Sequence, residues 1–215
     1  GYIAVMSLLS LAPSDIKPTA LALNVLVASI ASLQFFRAGH FSWRMFWPFA
    51  ILSVPFAFLG GYINLPTHTF KIVLGLVLLY SALRFLFVTK HDKMISAPPR
   101  LQALMSGGGI GLLSGLTGTG GGIFLTPLLL FKGWAQVKQA AAVSALFILV
   151  NSVAGLTGYV SNVKSLPTFI LPLFVVAALG GSIGSYLGSQ CFDAVIIKRF
   201  LAVVLLIASA KLMLI

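Results

Sequence analysis

Acidic side chains are almost missing from this chain. Its 215 residues include three aspartates, Asp15, Asp92 and Asp193, and no glutamate. All three fall in loops or at the ends of predicted helices, so no carboxylate is left inside an apolar run to relay protons or hold a cation. A single cysteine, Cys191, excludes an intramolecular disulfide and any cysteine-based metal cluster. The three histidines, His40, His68 and His91, are far apart and map to loops, where a solvated role outweighs metal ligation. No cofactor is implied. Charge of either sign is thin as well. Only 8% of residues are charged, against roughly 25% in a soluble domain. So few charges could not cover the surface of a water-soluble fold. In a bilayer they need not, because lipid tails accept apolar side chains.

Apolar residues take the place of the missing charge, at 59% of the chain with a mean hydropathy of +1.07. The net charge of +11 would suggest nucleic acid in a soluble protein. Here the bases sit singly or in pairs between apolar runs, as at Arg37, Arg44, Lys90, Lys93, Arg100, Lys164, Lys198 and Arg199. Cations placed this way face lipid headgroups and set topology, so a lipid bilayer is expected as partner and nucleic acid is not. No basic segment followed by a short apolar core marks a signal peptide.

A membrane-crossing helix needs about 20 apolar residues. On that criterion the sequence predicts spans near 18–36, 45–63, 70–89, 101–117, 139–160, 165–187 and 194–215. Two apolar pieces near 1–11 and 123–131 are too short to cross and suit broken or re-entrant helices. Pro13, Pro18 and Gly133 mark these breaks. The expected fold is all-α, a polytopic helical bundle. Its one hydrophilic stretch, KHDKMISAPPR at 90–100, links a first transmembrane repeat at 1–89 to a second at 101–215.

The halves resemble each other at a shift of 120 residues. Gly1 meets Gly121, Asn24 meets Ser144, Ser32 meets Ser152, and Leu59–Gly60–Gly61 meets Leu179–Gly180–Gly181, with 14 of 63 positions identical. The glycine pair and the polar matches are more than apolar composition supplies, and internal duplication is common in transporters. A shift of 128 aligns Ser81–Ala82 with Ser209–Ala210, which implies a short insertion near 189–196. The first half has no counterpart of the helix at 101–117, which predicts roughly 20 further residues upstream of Gly1.

The most informative stretch is GGGIGLLSGLTGTGGGIFLTP, Gly107 to Pro127. Gly107, Gly111 and Gly115 have small-xxx-small spacing, which suits close helix packing. Gly118, Gly120, Gly121 and Gly122 surround Thr119 and follow Thr117, and this density suits a functional break. Unwound backbone in lipid needs partners, and the positive end of the half-helix that follows suits an anion. No Lys-Ser/Thr pair follows the glycines as in a phosphate loop. No dinucleotide fingerprint and no Ser–His pair within a span point to an enzyme. Matched polar positions, Asn24 and Ser32 in one half and Ser144, Asn151 and Ser152 in the other, favour a shared midplane site, with Gln34 and Thr157 as further polarity. Lys17 and Lys138 lie where these helices begin and suit interfacial snorkelling.

The run GIGLLSGLTGTGGGIFLTPLLLFKGWAQVKQAAAVSALFILVNSVAGLTGY resembles the sulfite exporter TauE/SafE family of bacterial membrane permeases. The likeness rests on the glycine helix, the GxGGG tract, Pro127, the lysine ahead of an Ala-rich helix and Gly180–Gly181. The first half departs from the pattern, with Gly1–Tyr2 where the tract ends and Ser7 in place of Pro127. The resemblance implies a multi-pass protein of the cytoplasmic membrane that exports sulfite, an organosulfonate or a related small anionic solute. Gly118, Gly120, Gly121, Gly122 and Pro127 match the family motif. The expected substrate site combines Thr117, Gly118, Thr119, Gly120, Gly121 and Gly122 with Asn24, Ser144 and Asn151. A passive anion channel, a proton- or sodium-coupled importer and a non-transporting scaffold stay open. Transport direction, membrane orientation and oligomeric state do not follow from the sequence.

Overall fold

A computed structural model describes residues 13–63, 96–163 and 170–193, with scattered positions between 195 and 210. Every regular element among the described residues is helical. In chain order these are α1 (Pro13–Arg37), α2 (Trp43–Tyr62), α3 (Arg100–Thr117), α4 (Gly122–Phe131), α5 (Val137–Val163) and α6 (Ile170–Tyr186), followed by a π-helical turn at Leu187–Cys191. The expected pieces at 1–11 and 70–89 lie outside the described residues, as does most of 194–215.

Four of the described helices are long and apolar enough to cross a membrane, over Lys17–Arg37, Trp43–Tyr62, Val137–Asn162 and Leu173–Cys191. The protein is therefore a multi-pass membrane protein. The expected span at 101–117 does form a helix of 18 residues, α3. It falls short in apolarity because glycine replaces larger side chains at 107, 108, 109, 111 and 115. Its buried face meets protein and not lipid. Pro18 lies inside α1, which begins earlier than the expected 18–36.

The glycines of α3 explain its position. A Cβ on Gly107 would strike the backbone of Phe49, one on Gly111 the backbone of Ser53, and one on Gly115 the carbonyl of Ala57. Each step of four along α3 is matched by a step of four along α2. The two helices therefore run parallel with their backbones in contact, as small-xxx-small interfaces allow. α5 joins them in the same direction. Ser53 meets Asn151, Ala57 lies against Gly155, and Asn162 donates to the Tyr62 carbonyl at 3.0 Å.

α1 runs the opposite way. Lys17 lies over the Tyr159 ring at 5.8 Å, Leu21 touches Gly155, and Asn24 converges with Ser152 on Gly120. α6 follows α1 in direction, with Val27 against Gly181 and Phe35 near Gly188. Gln34 ties the pair. Its amide donates to the Ser182 carbonyl at 3.3 Å, and Ser185 donates to its oxygen at 2.7 Å. His40, in the loop after α1, lies 3.3 Å from the Ser189 carbonyl in the π turn.

The bundle thus has two ends. α1 starts at one, the Lys17 end, where α2, α3 and α5 finish. At the other, the His40 end, α1 and α6 finish and α2, α3 and α5 begin. α4 departs from this pattern. Its 10 residues span about 15 Å, half a bilayer core. From Gly121, beside Ile110 and Ser114, it returns to the His40 end, where Trp134 packs on Phe49 at 6.1 Å and the Ser96 amide donates to the Gly133 carbonyl at 3.2 Å. α3 and α4 form a hairpin that leaves on the side it entered. Leu125, Leu129, Val143 and Phe147 are wholly buried in the apolar core that holds α4.

Candidate functional site

The hairpin turns at Gly118–Gly122. Gly118, Gly120 and Gly121 have φ of 74°, 76° and 81°, where a side chain is strained in any residue but glycine. Crowding reinforces the constraint. A Cβ on Gly120 would sit 2.6 Å from Ile148 Cγ2, and one on Gly121 2.9 Å from Phe147 Cε1. Both α5 residues lie near the middle of its apolar span, Val137–Asn162. Gly120–Gly122 therefore lie at mid-height in the bundle, while Gly118, against the Lys17 backbone, lies nearer the Lys17 end. The first helical hydrogen bond of α4 runs from the Leu125 amide to the Gly121 carbonyl at 3.1 Å. The amides of Gly122 and Ile123 precede it and carry the positive end of the helix.

Polar side chains converge here. Asn24 of α1 donates to the Gly118 carbonyl at 3.1 Å. The same amide nitrogen lies 3.3 Å from the Cβ position of Gly120, and Ser152 Oγ lies 2.9 Å from it. Ser152 is fully buried and its hydroxyl has no hydrogen-bond partner. Ser114 of α3, whose Cβ lies 3.3 Å from the Cβ position of Gly121, is equally buried and unpartnered. A buried hydroxyl left unpaired costs about 1–3 kcal/mol, and two such groups at one backbone break suit a polar ligand. Among the described residues no group of acidic, histidine or cysteine side chains could hold a metal ion.

The nine residues expected at the site divide. Gly118, Gly120, Gly121 and Gly122 form the break, and Asn24 reaches it. Thr117 and Thr119 share a hydroxyl contact at 2.9 Å, and Thr117 also donates to the Leu113 carbonyl at 2.6 Å, so both brace the turn. Ser144 lies one turn along α5. It accepts from Thr126 of α4 at 2.8 Å, and its carbonyl is 3.4 Å from the Cβ position of Gly122. Asn151 faces elsewhere. Its oxygen accepts from Ser53 at 2.7 Å in the α2–α5 seam, and its buried amide nitrogen has no partner. Ser114 and Ser152 were not among the nine. For Ser152 the sequence holds one signal, its match to Ser32 at the 120-residue shift. For Ser114 no sequence signal distinguished it from a packing residue of a glycine helix.

Lys17 borders the tract. Its backbone carbonyl lies 3.0 Å from the Cβ position of Gly118. Its ammonium donates to the carbonyls of Gly60, Gly61 and Ile63 at 3.1, 3.0 and 3.2 Å. It thus caps the negative end of α2, a role more specific than snorkelling.

This hairpin, with its broken middle and buried amides, is an arrangement of membrane transporters. A family model described as sulfite exporter TauE/SafE matches residues 1–212. The chain belongs to the sulfite exporter TauE/SafE family. A probable membrane transporter protein of Sinorhizobium fredii is 42% identical over 218 residues, covering 99% of this chain and 88% of the relative. Another, of Methanocaldococcus jannaschii, is 28% identical over 142 residues, covering 64% of this chain and 53% of the relative. No solved structure matches the chain. As a TauE/SafE member it is a membrane transporter, and a small solute is its substrate.

Proposed function

We propose that the chain exports a small oxyanion, sulfite or an organosulfonate, through a site at the Gly118–Gly122 break. The observation that carries this reading is the mid-height N-terminus of α4, faced by the unpartnered hydroxyls of Ser114 and Ser152 and by the Asn24 amide. All these groups can donate hydrogen bonds, and none is a carboxylate that would repel an anion. The ligand would accept from free amides and hydroxyls, at sites weak enough to release it. Among the described residues no lysine or arginine contacts the break through its charged group, which favours passage over tight capture.

The energetics favour exit. An inside-negative potential drives an anion outward by about 2.3 kcal/mol per charge per 100 mV. Export therefore needs no coupling ion, and the described spans carry no acidic residue to bind one. Sulfite efflux from proteoliposomes holding the full-length protein tests the reading, with taurine and sulfate as competitors. Efflux that rises with an imposed potential and is inhibited by taurine supports it. Flux of another anion with none of sulfite removes the substrate assignment. Absence of any anion flux removes the mechanism.

A further inference from the structure

Two serines that match at the 120-residue shift, Ser32 and Ser152, share an unusual state, a buried hydroxyl oxygen, although Ser32 as a whole is only partly buried. Neither hydroxyl has a hydrogen-bond partner. The helices that carry them, α1 and α5, run antiparallel in a regular register. Lys17 faces Tyr159, Leu21 faces Gly155, and Asn24 and Ser152 meet at Gly120. Each step forward on α1 is an equal step back on α5. Continued, the register sets Ala28 level with Ile148 and Ser32 level with Ser144. The levels of Ala28 and Ile148 coincide with the centres of the two apolar spans, Lys17–Arg37 and Val137–Asn162.

The sequence match and this register are related by a two-fold exchange. At the 120-residue shift Asn24 corresponds to Ser144, and Ser152 to Ser32. The pair at the glycine break, Asn24 with Ser152, is thereby exchanged with the level pair Ser144 and Ser32. The exchange requires an axis in the membrane plane through Ala28 and Ile148, the arrangement of inverted repeats. The opposed directions of α1 and α5, and of α2 and α6, agree with it.

From this we infer that Ser32 and Ser144 form a second anion station, level with one another on α1 and α5 and about 12 Å along the bundle from Asn24 and Ser152. The inference rests on the proposed anion site at the break. The second station uses an unpartnered hydroxyl, Ser32, and a hydroxyl whose oxygen already accepts from Thr126, leaving its proton free to donate. Two weak stations in series let an anion enter and leave without a deep trap.

Charge gives the stations an order. Among the described residues of α1–α5 and their connections, Arg37, Arg44, Arg100, Lys132 and Lys138 lie at the His40 end, and Lys17 lies at the other with its ammonium capping α2. The positive-inside rule makes the His40 end cytoplasmic. An exported anion meets Ser32 and Ser144 first, then Ser152 and Asn24.

The test uses single cysteines in full-length protein with Cys191→Ser. Ser32→Cys and Ser152→Cys are labelled with the anionic reagent 2-sulfonatoethyl methanethiosulfonate in inverted vesicles and in spheroplasts, with methanesulfonate as protectant. Ser32→Cys is expected to react at least tenfold faster in inverted vesicles, and Ser152→Cys at least tenfold faster in spheroplasts. Methanesulfonate slows each at least threefold. A Ser32→Cys that is inert or unprotected, beside a protected Ser152→Cys, overturns the second station and leaves the first. Both inert removes the site at the break as well. Exchange of the two faces overturns the orientation. Ser32→Ala provides an independent reading and is expected to raise KM for sulfite presented at the cytoplasmic face at least threefold; an unchanged KM counts against the station.

Discussion

Two sets of glycines lie a few residues apart in α3 and the turn after it, and the protein uses them in opposite ways. Gly107, Gly111 and Gly115 are helical and regular, and they matter because the α2 backbone occupies the space a side chain would need. Gly118, Gly120 and Gly121 leave the helix, with φ between 74° and 81°, and they matter because they expose backbone at mid-membrane. One set joins two helices and the other interrupts one. A row of glycines in a membrane span is therefore not one signal. The spacing of four reads as packing, and the consecutive run reads as a break.

The largest expected effect comes from damaging the first set. Gly111→Val drives a branched side chain into Ser53, whose Oγ is already 2.6 Å from the Cβ position. Overpacking costs about 1–3 kcal/mol for modest insertions, and a backbone obstacle cannot yield as a side chain does. Purified Gly111→Val is expected to lose its monodisperse peak in size-exclusion chromatography. Retention of a normal peak with unchanged thermal stability would show that the α2–α3 seam can open to admit a side chain.

Next comes the second set. Gly120→Ala meets an unfavourable backbone region, costing about 1–2 kcal/mol, and Ile148 at 2.6 Å. Ile148 can shift as a side chain, so the protein is expected to fold while transport falls at least a hundredfold.

Lys17→Met should fall between structure and transport. It uncaps three carbonyls at the end of α2. Hydrogen bonds to charged groups contribute about 1.5–3 kcal/mol, so a lower melting temperature is expected, with Lys17→Arg restoring part of it. A melting curve that does not move would deny the cap.

Asn24→Leu removes the donor to Gly118 and places an apolar group at the break, for an expected tenfold fall in flux with little loss of stability. Asn24→Asp should be worse, since a carboxylate repels the anion. Equal flux in Asn24→Asp and the parent would remove Asn24 from the path.

The smallest effect is expected at Gly180→Ala. Nothing lies within 4 Å of its Cβ position, so stability and flux should stay near those of the parent. This contrasts with Gly60 and Gly61, which match Gly180 and Gly181 at the 120-residue shift. A Cβ on Gly60 would sit 2.8 Å from the Leu116 amide and one on Gly61 2.9 Å from Gly155 Cα, both backbone, whereas one on Gly181 would meet the Val27 side chain at 2.8 Å. The matched pairs therefore do different work.

Much of this was legible in the sequence because the lipid solvent simplifies the reading. Apolar runs long enough to cross appear as α1, α2, α5 and α6, and the 123–131 piece appears as the half-length α4. The glycine spacing predicted both the packing of Gly107–Gly111–Gly115 and the break that follows. What the sequence left open depends on contacts between distant segments. Asn24 reaches Gly118 across 94 residues of chain, and Asn151 accepts from Ser53 across 98 residues in the α2–α5 seam. Helix direction, and with it the end of the bundle at which Arg37, Arg44, Arg100, Lys132 and Lys138 lie, emerges only when α1 is seen to run against α5.

The central claim is that Gly118–Gly122 serves transport while the α3 glycines serve packing. Potential-driven sulfite efflux and thermal stability, measured together for Gly120→Ala and Gly111→Ala in full-length protein, test it most directly. Gly120→Ala is expected to fold with a melting temperature lowered less than that of Gly111→Ala and to lose flux, whereas Gly111→Ala loses stability first. A stable Gly120→Ala protein that exports sulfite at the parental rate would contradict it.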